Sequence, residues 1–348
     1  MKVLHLASGN RWTGAAAPAF AEVEALRMAG VDAHYAYVGG YKLEQKIGHH
    51  DFAHPLIEKA QNPVTFTRSI ANVDRLVHRH GFDVIHAHLT YDHWLARLVG
   101  RNHKVRIART VHARRVLRAD PFTRSMFRKT QILCVINEAF LGHPALLGRT
   151  AIFTPPPLDH RQFVATGPNA RGLYGIPAGA KLLTVIGKLS KGRGFEEALR
   201  SFAILRGTTD ARMMIIGHGE HRPALEGLAG ELGIAEHVTW AGYHEDDLAE
   251  HYRASDLLFF TARGSDEGHR AVLEAMACGV VPASFPIDGV AALTGTEFVA
   301  DQSAPESLAS LAGSLLARDL APLRAQVIEQ SQAFGYAHAA RRLIDAYR

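Results

Sequence analysis

Two carboxylates eight residues apart, Asp266 and Glu274, mark the stretch of this sequence with the clearest chemical potential. A turn-prone segment leads into an apolar run of good helix formers, and Gly279 follows the run, which predicts a loop and then a helix. The N–H groups at the start of a helix attract anions and hydroxyl-rich ligands. Because Arg270 lies four residues before Glu274, an ordinary ion pair on one helix face is an alternative interpretation.

A glycine-rich loop with three cations, residues 187–194, precedes another predicted helix. Glycine lets a backbone approach a phosphate closely, and Lys188 and Arg193 could donate charge-assisted hydrogen bonds to it. The spacing is neither that of a P-loop nor that of the dinucleotide-binding fingerprint, so a plain exposed connector is an equal alternative. Gly217 and Gly219 fit a tight strand-to-helix turn, although glycines there would also admit a nucleotide base or ribose.

Histidine is abundant, with 21 residues, and His86 and His88 lie on one face of a predicted strand. Two such imidazoles would permit a metal site, but no Asp, Glu or Cys at suitable spacing completes one. We therefore expect no metal and interpret both as hydrogen-bonded histidines at a strand end. His112 follows another predicted strand among cations, which makes it the better candidate for contact with a ligand.

The elements that must position these residues alternate between strand and helix in two halves. This pattern predicts an α/β protein with two facing, doubly wound, Rossmann-like domains at residues 1–163 and 164–330, and a last helix within 331–348. Residues 40–80 have the weakest pattern. Ligands of open parallel sheets bind beyond the carboxyl ends of the strands, and the candidate residues fall at those ends. Facing domains would bring them into one cleft.

The composition excludes several classes of protein. The chain has 348 residues, 47% of them hydrophobic, and no segment typical of a secretory signal or a membrane span, so we expect a cytoplasmic protein. Its two cysteines fall in different predicted domains, which argues against a disulfide. Residues 101–129 form a basic cluster with Asp120 as the only acid. The cluster suggests a phospholipid, a phosphorylated glycan or nucleic acid as partner, with a solvated surface as the alternative.

Together these features resemble the retaining glycosyltransferases of the GT-B fold, the family 4-like "glycosyl transferases group 1". The most specific motif is Val272–Gly279, supported by the 187–194 loop, the Gly217 turn and Tyr252–Asp256. The N-terminal half agrees more loosely, through residues 12–14, 83–88 and 110–112. The resemblance implies an N-terminal acceptor-side domain, a C-terminal nucleotide-sugar domain, and a C-terminal helix that returns to the first domain.

The resemblance also implies roles for individual residues. Glu274 would bind the ribose of the donor, and Asp266 would lie near the transferred sugar, with Glu267, shifted by one position, the weaker match. Lys188 and Arg193 would clamp the diphosphate, in place of the family's commoner arginine and lysine. His112 would contact the sugar or the acceptor. Further donor contacts would come from Gly14, Gly217, Gly268, His269 and Arg270.

The expected function is therefore retaining transfer of a sugar from a nucleotide-diphosphate sugar to a glycan, lipid-linked or small-molecule acceptor. Polysaccharide or lipopolysaccharide synthesis is the expected pathway, with no obligatory metal and no other cofactor. The basic cluster at 101–129 would let the protein bind peripherally to an anionic membrane on the cytoplasmic side. A nucleotide-sugar epimerase and a catalytically decayed nucleotide-sugar-binding protein are the alternatives. A nucleic-acid partner is not expected, because aromatic residues are not interleaved with the cations. The oligomeric state stays open.

Overall fold

In the computed structural model, the described residues are 1–10, 12, 14–59, 62–118, 120–146, 148–262 and 268–348. They form two compact units, one of Met1–Pro157 with Phe334–Arg348 and one of Leu158–Ala333. The first boundary lies before the predicted one at residue 163, because Leu158 and Phe163 are buried with the second unit. The Phe163 ring lies 6.2 Å from that of Tyr252, both within this unit.

The described part of the N-terminal unit is built on a seven-stranded parallel sheet in the order β3-β2-β1-β4-β5-β6-β7. Its strands are β1 Lys2–Ala7, β2 Asp32–Val38, β3 Ala53–Ile57, β4 Val84–Ala87, β5 Arg106–Val111, β6 Ile132–Val135 and β7 Ile152–Phe153. Its helices are α1 Ala16–Met28, α2 Lys42–Ile47, α3 Pro63–His80, α4 Thr90–Val99, α5 Pro121–Arg128 and, at the C-terminus of the chain, α13 Tyr336–Tyr347.

The described part of the C-terminal unit has a five-stranded parallel sheet in the order β10-β9-β8-β11-β12. Its strands are β8 Lys181–Ile186, β9 Ala211–Ile216, β10 Val238–Gly242, β11 Leu257–Phe260 and β12 Val281–Ser284. Its helices are α6 Phe195–Arg206, α7 Arg222–Glu231, α8 Leu248–Arg253, α9 Arg270–Ala277, α10 Ala291–Thr294, α11 Pro305–Leu316 and α12 Leu320–Gln332.

Local sequence explains most of these elements. The central strands are almost wholly apolar and buried, as strands covered by helices on both faces should be. Helix α3 shows clear end signals: Asn62 accepts hydrogen bonds from the N–H groups of Val64 and Thr65, and Pro63 fills the first turn. Gly81 ends the helix in a left-handed conformation (φ 65°). Strand β3, which was not predicted, contains Pro55 and lies at the sheet edge, where proline is tolerated.

The C-terminal helix α13 packs against α1 of the N-terminal unit, and this prediction is confirmed. Leu343 and Tyr347 enter the same apolar core as Val3 and Phe20. Both cysteines are buried and free. None of the described helices combines the length and hydrophobicity that a bilayer-spanning segment needs.

Candidate functional site

In the C-terminal sheet, β8 and β11 are neighbours, and the chain crosses from β8 to β9 on one side and from β11 to β12 on the other. Such a switch point is the usual ligand position in an open α/β sheet. The loops after β8 and β11 meet where the Thr261 hydroxyl donates a hydrogen bond to the carbonyl oxygen of Gly194 (2.8 Å). A side chain at position 194 would place its Cβ 2.1 Å from the Thr261 carbonyl oxygen, and φ there is +86°. Glycine is therefore required to bring the loops together.

Both predicted cations lie on the loop after β8. Lys188 has a side chain that is 61% exposed, and its ammonium lies 3.7 Å from a carboxylate oxygen of Glu220. Arg193 is half-buried and has no ion-pair or hydrogen-bond partner among the described residues. The loop is held in place by the N–H of Leu189, which donates to the carbonyl oxygen of His218 (2.9 Å). An anion at this end of the sheet would meet Arg193 and, in competition with Glu220, the exposed Lys188.

Glu274 lies on α9, the helix that follows the loop after β11, and is only 6% exposed. Its carboxylate is 3.1 Å from Nε of Arg270 and accepts a hydrogen bond from the hydroxyl of the buried Tyr252 (3.2 Å). The predicted Arg270–Glu274 pair therefore exists, but it is not an ordinary surface pair, because the acid is buried and braced from both sides. Such bracing fixes the direction in which the carboxylate points.

Helix α9 begins in an unusual way. His269, which immediately precedes it, has a left-handed backbone (φ 53°) and is the only non-glycine residue with positive φ in the described ranges. Its Nε2 lies 2.9 Å from the carbonyl oxygen of Asp288, and its ring packs edge-on against Phe260. Backbone strain of this kind persists where surrounding contacts enforce it, often at functional sites. Gly268 next to it is buried.

The two acids predicted at the start of this segment, Asp266 and Glu267, lie outside the described residues. Their roles therefore stay predictions.

The glycines after β9, which the sequence predicts in a tight turn, are also required by a close contact between two loops. A Cβ at Gly217 would lie 1.9 Å from the Gly187 carbonyl oxygen, and one at Gly219 would lie 2.0 Å from the Leu189 carbonyl oxygen. The loops after β8 and β9 thus pack backbone against backbone, which explains both glycines without a ligand. On the exposed side of this contact, the rings of His218 and Tyr243 lie 5.1 Å apart and nearly perpendicular.

The N-terminal sheet has its own switch point, between β1 and β4. Asp92, in the first turn of α4, accepts hydrogen bonds from the N–H groups of Ser8 (2.8 Å) and Leu89 (2.7 Å), which ties together the loops after these strands. Gly14, in the loop after β1, has φ +62°, and nothing lies within 4 Å of where its Cβ would be. The backbone conformation rather than a lack of space therefore favours glycine there.

His112 ends a chain of hydrogen-bonded rings on one face of this sheet. Its Nε2 lies 2.9 Å from Nδ1 of His88, whose Nε2 lies 2.9 Å from Nδ1 of His5. Parallel pairing places His5 opposite His86 and His86 opposite Ala108, so His88 and His112 fall on the same face. Burial, and secondarily the Arg109 cation, lowers the pKa of His112 to about 3, so its imidazole is neutral at physiological pH.

Two family models match the chain in succession. One described as Glycosyltransferase Family 4 matches residues 12–136, and one described as Glycosyl transferases group 1 matches residues 168–334. The chain belongs to the group 1 glycosyltransferases. The predicted resemblance to this family is confirmed, and the retaining mechanism stays a prediction.

Relatives agree with this assignment. The chain is 25% identical to a D-inositol 3-phosphate glycosyltransferase of Corynebacterium urealyticum, over 84% of this chain and 78% of that protein. It is 29% identical to a D-inositol 3-phosphate glycosyltransferase of Mycolicibacterium gilvum, over 51% of this chain and 41% of the relative. The matched part spans about half the length of several curated relatives, between 41% and 58%.

A solved structure of Anabaena HepE in complex with UDP superposes on this chain with a TM-score of 0.81, at 16% identity, over 99% of both chains. At this identity the likeness shows the fold. The chain thus has the predicted α/β, GT-B-like architecture of two domains.

Sequence reasoning missed Glu22, which lies on α1 over the histidine face of the N-terminal sheet. It is 1% exposed, and one of its carboxylate oxygens has no hydrogen-bond partner among the described residues. Burial raises the pKa of Glu22 to about 8 and lowers that of the neighbouring His5 to about 3. The inference that no acid joins the His86 and His88 pair is therefore wrong, because Glu22 is brought there by the fold. The available signal was Glu22 on the largely apolar helix α1, which also carries Glu24 and Arg27.

One residue of the predicted basic cluster needs correction. Arg109 does not belong to the surface, because it is 2% exposed and lies in the interior of the N-terminal unit. Next to the cluster, the rings of Trp94 and Phe122 lie 4.7 Å apart, and Phe122 is 60% exposed. They line a groove of about 210 Å³ together with Arg101 and Lys129. The other exposed cations of the cluster are Lys104, Arg114, Arg115, Arg118 and Arg128.

Proposed function

We propose that the protein is a retaining glycosyltransferase that moves a sugar from a nucleoside-diphosphate sugar to a glycan, lipid-linked or small-molecule acceptor of the cell envelope. The observation that carries this proposal is the switch point of the C-terminal sheet. Lys188 and Arg193 lie on the loop after β8, and the braced carboxylate of Glu274 lies on α9, the helix that follows the loop after β11. The Anabaena protein of similar fold was solved in complex with UDP, which supports a nucleotide donor.

The proposed chemistry follows from where charge develops. The bond between the anomeric carbon and the phosphate oxygen breaks as the acceptor oxygen bonds to the same face of that carbon. Negative charge grows on the leaving diphosphate, and Lys188 and Arg193 stabilise it, which for one such group is worth ~2–4 kcal/mol of barrier. The acceptor proton passes to the leaving phosphate. In this proposal the step needs no metal and no nucleophilic carboxylate.

Other residues orient the donor. Glu274 accepts hydrogen bonds from the ribose hydroxyls, and Asp266 lies near the transferred sugar. The backbone around Gly268, His269 and Arg270 contacts sugar hydroxyls. The exposed His218 and Tyr243 rings, beside the Gly217 turn, offer aromatic surface for the base.

In the N-terminal unit, Gly14 lets the loop after β1 approach the phosphates. His112 contacts the sugar or the acceptor there as a neutral imidazole, which can both donate and accept a hydrogen bond.

We also propose that the groove of Trp94 and Phe122, with the exposed part of the 101–129 cluster, docks on an anionic membrane, the inner face of the plasma membrane. Two aromatic rings among cations suit a lipid interface, because the rings enter the headgroup region while the cations meet its negative charge. Such docking would bring the N-terminal unit, the proposed acceptor side, close to a lipid-linked acceptor.

A panel of UDP-, GDP- and ADP-sugars tests the proposal by thermal shift and by NMR of the donor with and without candidate acceptors. We expect one donor to raise the melting temperature and to be consumed by slow hydrolysis or acceptor-dependent transfer. Replacing Arg193 with Gln should lower kcat/KM by about 30- to 1,000-fold, because it removes one phosphate contact. The matched control is Arg200→Gln, an exposed position on α6, which should leave kcat/KM unchanged.

Three other outcomes of the donor panel would indicate a different function. Donor turnover to an isomeric nucleotide sugar without an acceptor would identify an epimerase instead. Donor binding without any turnover would identify a binding protein. No binding across the whole panel would rule out the proposed donor class.

A further inference from the structure

Three buried side chains converge in the interior of the N-terminal unit, and the proposed transfer reaction uses none of them. His5 comes from β1, His88 directly follows β4, and Glu22 comes from α1, which covers this face of the sheet. All three are at most 1% exposed. Neutral imidazole and carboxylate are common ligands of zinc and related ions.

The three ligand atoms form a small triangle. His5 Nδ1 and His88 Nε2 are 2.9 Å apart, and a Glu22 carboxylate oxygen lies 3.6 Å from the first and 3.7 Å from the second. The point in their plane that is equidistant from all three lies about 2.0 Å from each, and zinc bonds nitrogen and carboxylate oxygen at about 2.0–2.2 Å. An ion at this point would replace the hydrogen bond between the two rings, and each ring would turn so that its nitrogen lone pair faces the ion.

The carboxylate oxygen that faces the two rings has no hydrogen-bond partner among the described residues, although it is fully buried. Burying a carboxylate oxygen without a partner is costly, and a cation bound between Glu22 and the imidazoles would remove this cost. The unpartnered atom is thus the same atom that completes the triangle. This is the observation that points to a ligand rather than to packing alone.

The other ring nitrogen of each histidine also has a hydrogen-bond partner, as it usually does in metal-binding histidines. His5 Nε2 lies 3.2 Å from the hydroxyl of Tyr347, and His88 Nδ1 lies 2.9 Å from Nε2 of His112. Such outer contacts fix the tautomer and the orientation of a metal ligand. His86 is close enough to serve as a fourth ligand, but it now contacts Tyr347 (2.5 Å) and Thr110 (2.7 Å) and would have to exchange one of these bonds.

We propose that His5, His88 and Glu22 bind one divalent transition-metal ion of the zinc type inside the N-terminal unit. The ion joins β1, β4 and α1 and plays no part in activating the donor. Because His88 also bonds to His112, the ion would further fix the orientation of His112. The competing explanation for the same geometry is a proton held by Glu22.

Titration of the chelator-treated full-length chain with Zn²⁺ and with Co²⁺ tests this site. Calorimetry should show one equivalent of either ion, Co²⁺ should give the visible absorption of a four-coordinate nitrogen and oxygen site, and Zn²⁺ should raise the melting temperature. Glu22→Gln and His88→Asn should each weaken binding by at least about 100-fold, since each removes a direct ligand rather than an outer contact.

Two controls keep the result interpretable. Glu22→Gln keeps the side-chain shape, so in the absence of metal its melting temperature should stay close to that of the wild type. His244→Asn changes a second cluster, His244, Asp247 and His251 of the C-terminal unit, and should leave the binding unchanged. Absence of stoichiometric binding, equal binding by wild type and Glu22→Gln, or a loss confined to His244→Asn would each overturn the proposal. The donor panel is independent of all three results.

Discussion

Burial distinguishes the Glu274 carboxylate from the carboxylate of an ordinary surface ion pair. Arg222 and Glu226 on α7 have the same spacing as Arg270 and Glu274 on α9, and their atoms are closer (2.7 Å against 3.1 Å). Yet both partners on α7 are 43% exposed, where an ion pair contributes little. Glu274 instead is buried and also bonded to Tyr252. Burial and bracing, rather than pairing, make Glu274 suited to ligand binding.

The pair on α7 therefore serves as an internal control for the ribose role of Glu274. Glu274→Gln should raise the dissociation constant of the donor nucleotide by about 10- to 100-fold, because neutral Gln loses charge-assisted hydrogen bonds worth ~1.5–3 kcal/mol. Glu226→Gln should have no effect on the affinity. Isothermal calorimetry with the donor found in the panel measures both values. Equal affinities of Glu274→Gln and the wild type would contradict the ribose role.

At the scale of elements, the sequence predicts what local patterns determine. The predicted alternation of strands and helices in two halves is confirmed, because strand and helix periods are local properties. The contact of Gly217 with Gly187 and the arrival of Glu22 beside His5 and His88 could not be predicted, since both depend on how separate elements approach one another. Lys188, Arg193 and Glu274 could be predicted from the sequence because the family motifs contain them.

Helix α4 provides a pH-dependent test at this scale. Burial raises the pKa of Asp92 to about 6 despite its hydrogen bonds, and in the unfolded chain it returns to near 4. Between these values the folded state binds the proton more tightly, so the contribution of Asp92 to stability falls as the pH rises from about 4 to about 6. The melting temperature of the wild type, relative to that of Asp92→Asn, should therefore fall as the pH rises from 4 to 7.

Thermal denaturation across this range measures the difference, and the subtraction removes the titration of other groups. Asp51→Asn, at an exposed position of the same unit, should show no such trend relative to the wild type. A constant difference between wild type and Asp92→Asn would mean that Asp92 is not destabilised as a carboxylate in the folded protein.

At the scale of the whole molecule, charge is unevenly distributed. The net charge is only +5, yet exposed cations concentrate around α5 and the Trp94–Phe122 groove of the N-terminal unit. A mild overall charge gives weak general attraction to an anionic surface, whereas a local cluster acts within a Debye length of about 8–10 Å. If the protein docks on membranes, position should therefore matter more than net charge.

Two triple variants that each remove three positive charges separate the effect of where the cations lie from the effect of net charge. Arg101 and Lys129 line the groove, and the exposed Arg128 precedes Lys129 in the chain. Replacement of these three residues with Gln should lower partitioning into phosphatidylserine vesicles by about 100-fold, at ~1 kcal/mol for each cation. The same replacement at Arg200, Arg318 and Arg341, which are exposed elsewhere, should change it much less. Vesicle sedimentation at two salt concentrations measures both, and wild-type binding should weaken as salt rises. Equal losses in the two variants, or binding unaffected by salt, would contradict docking through this groove.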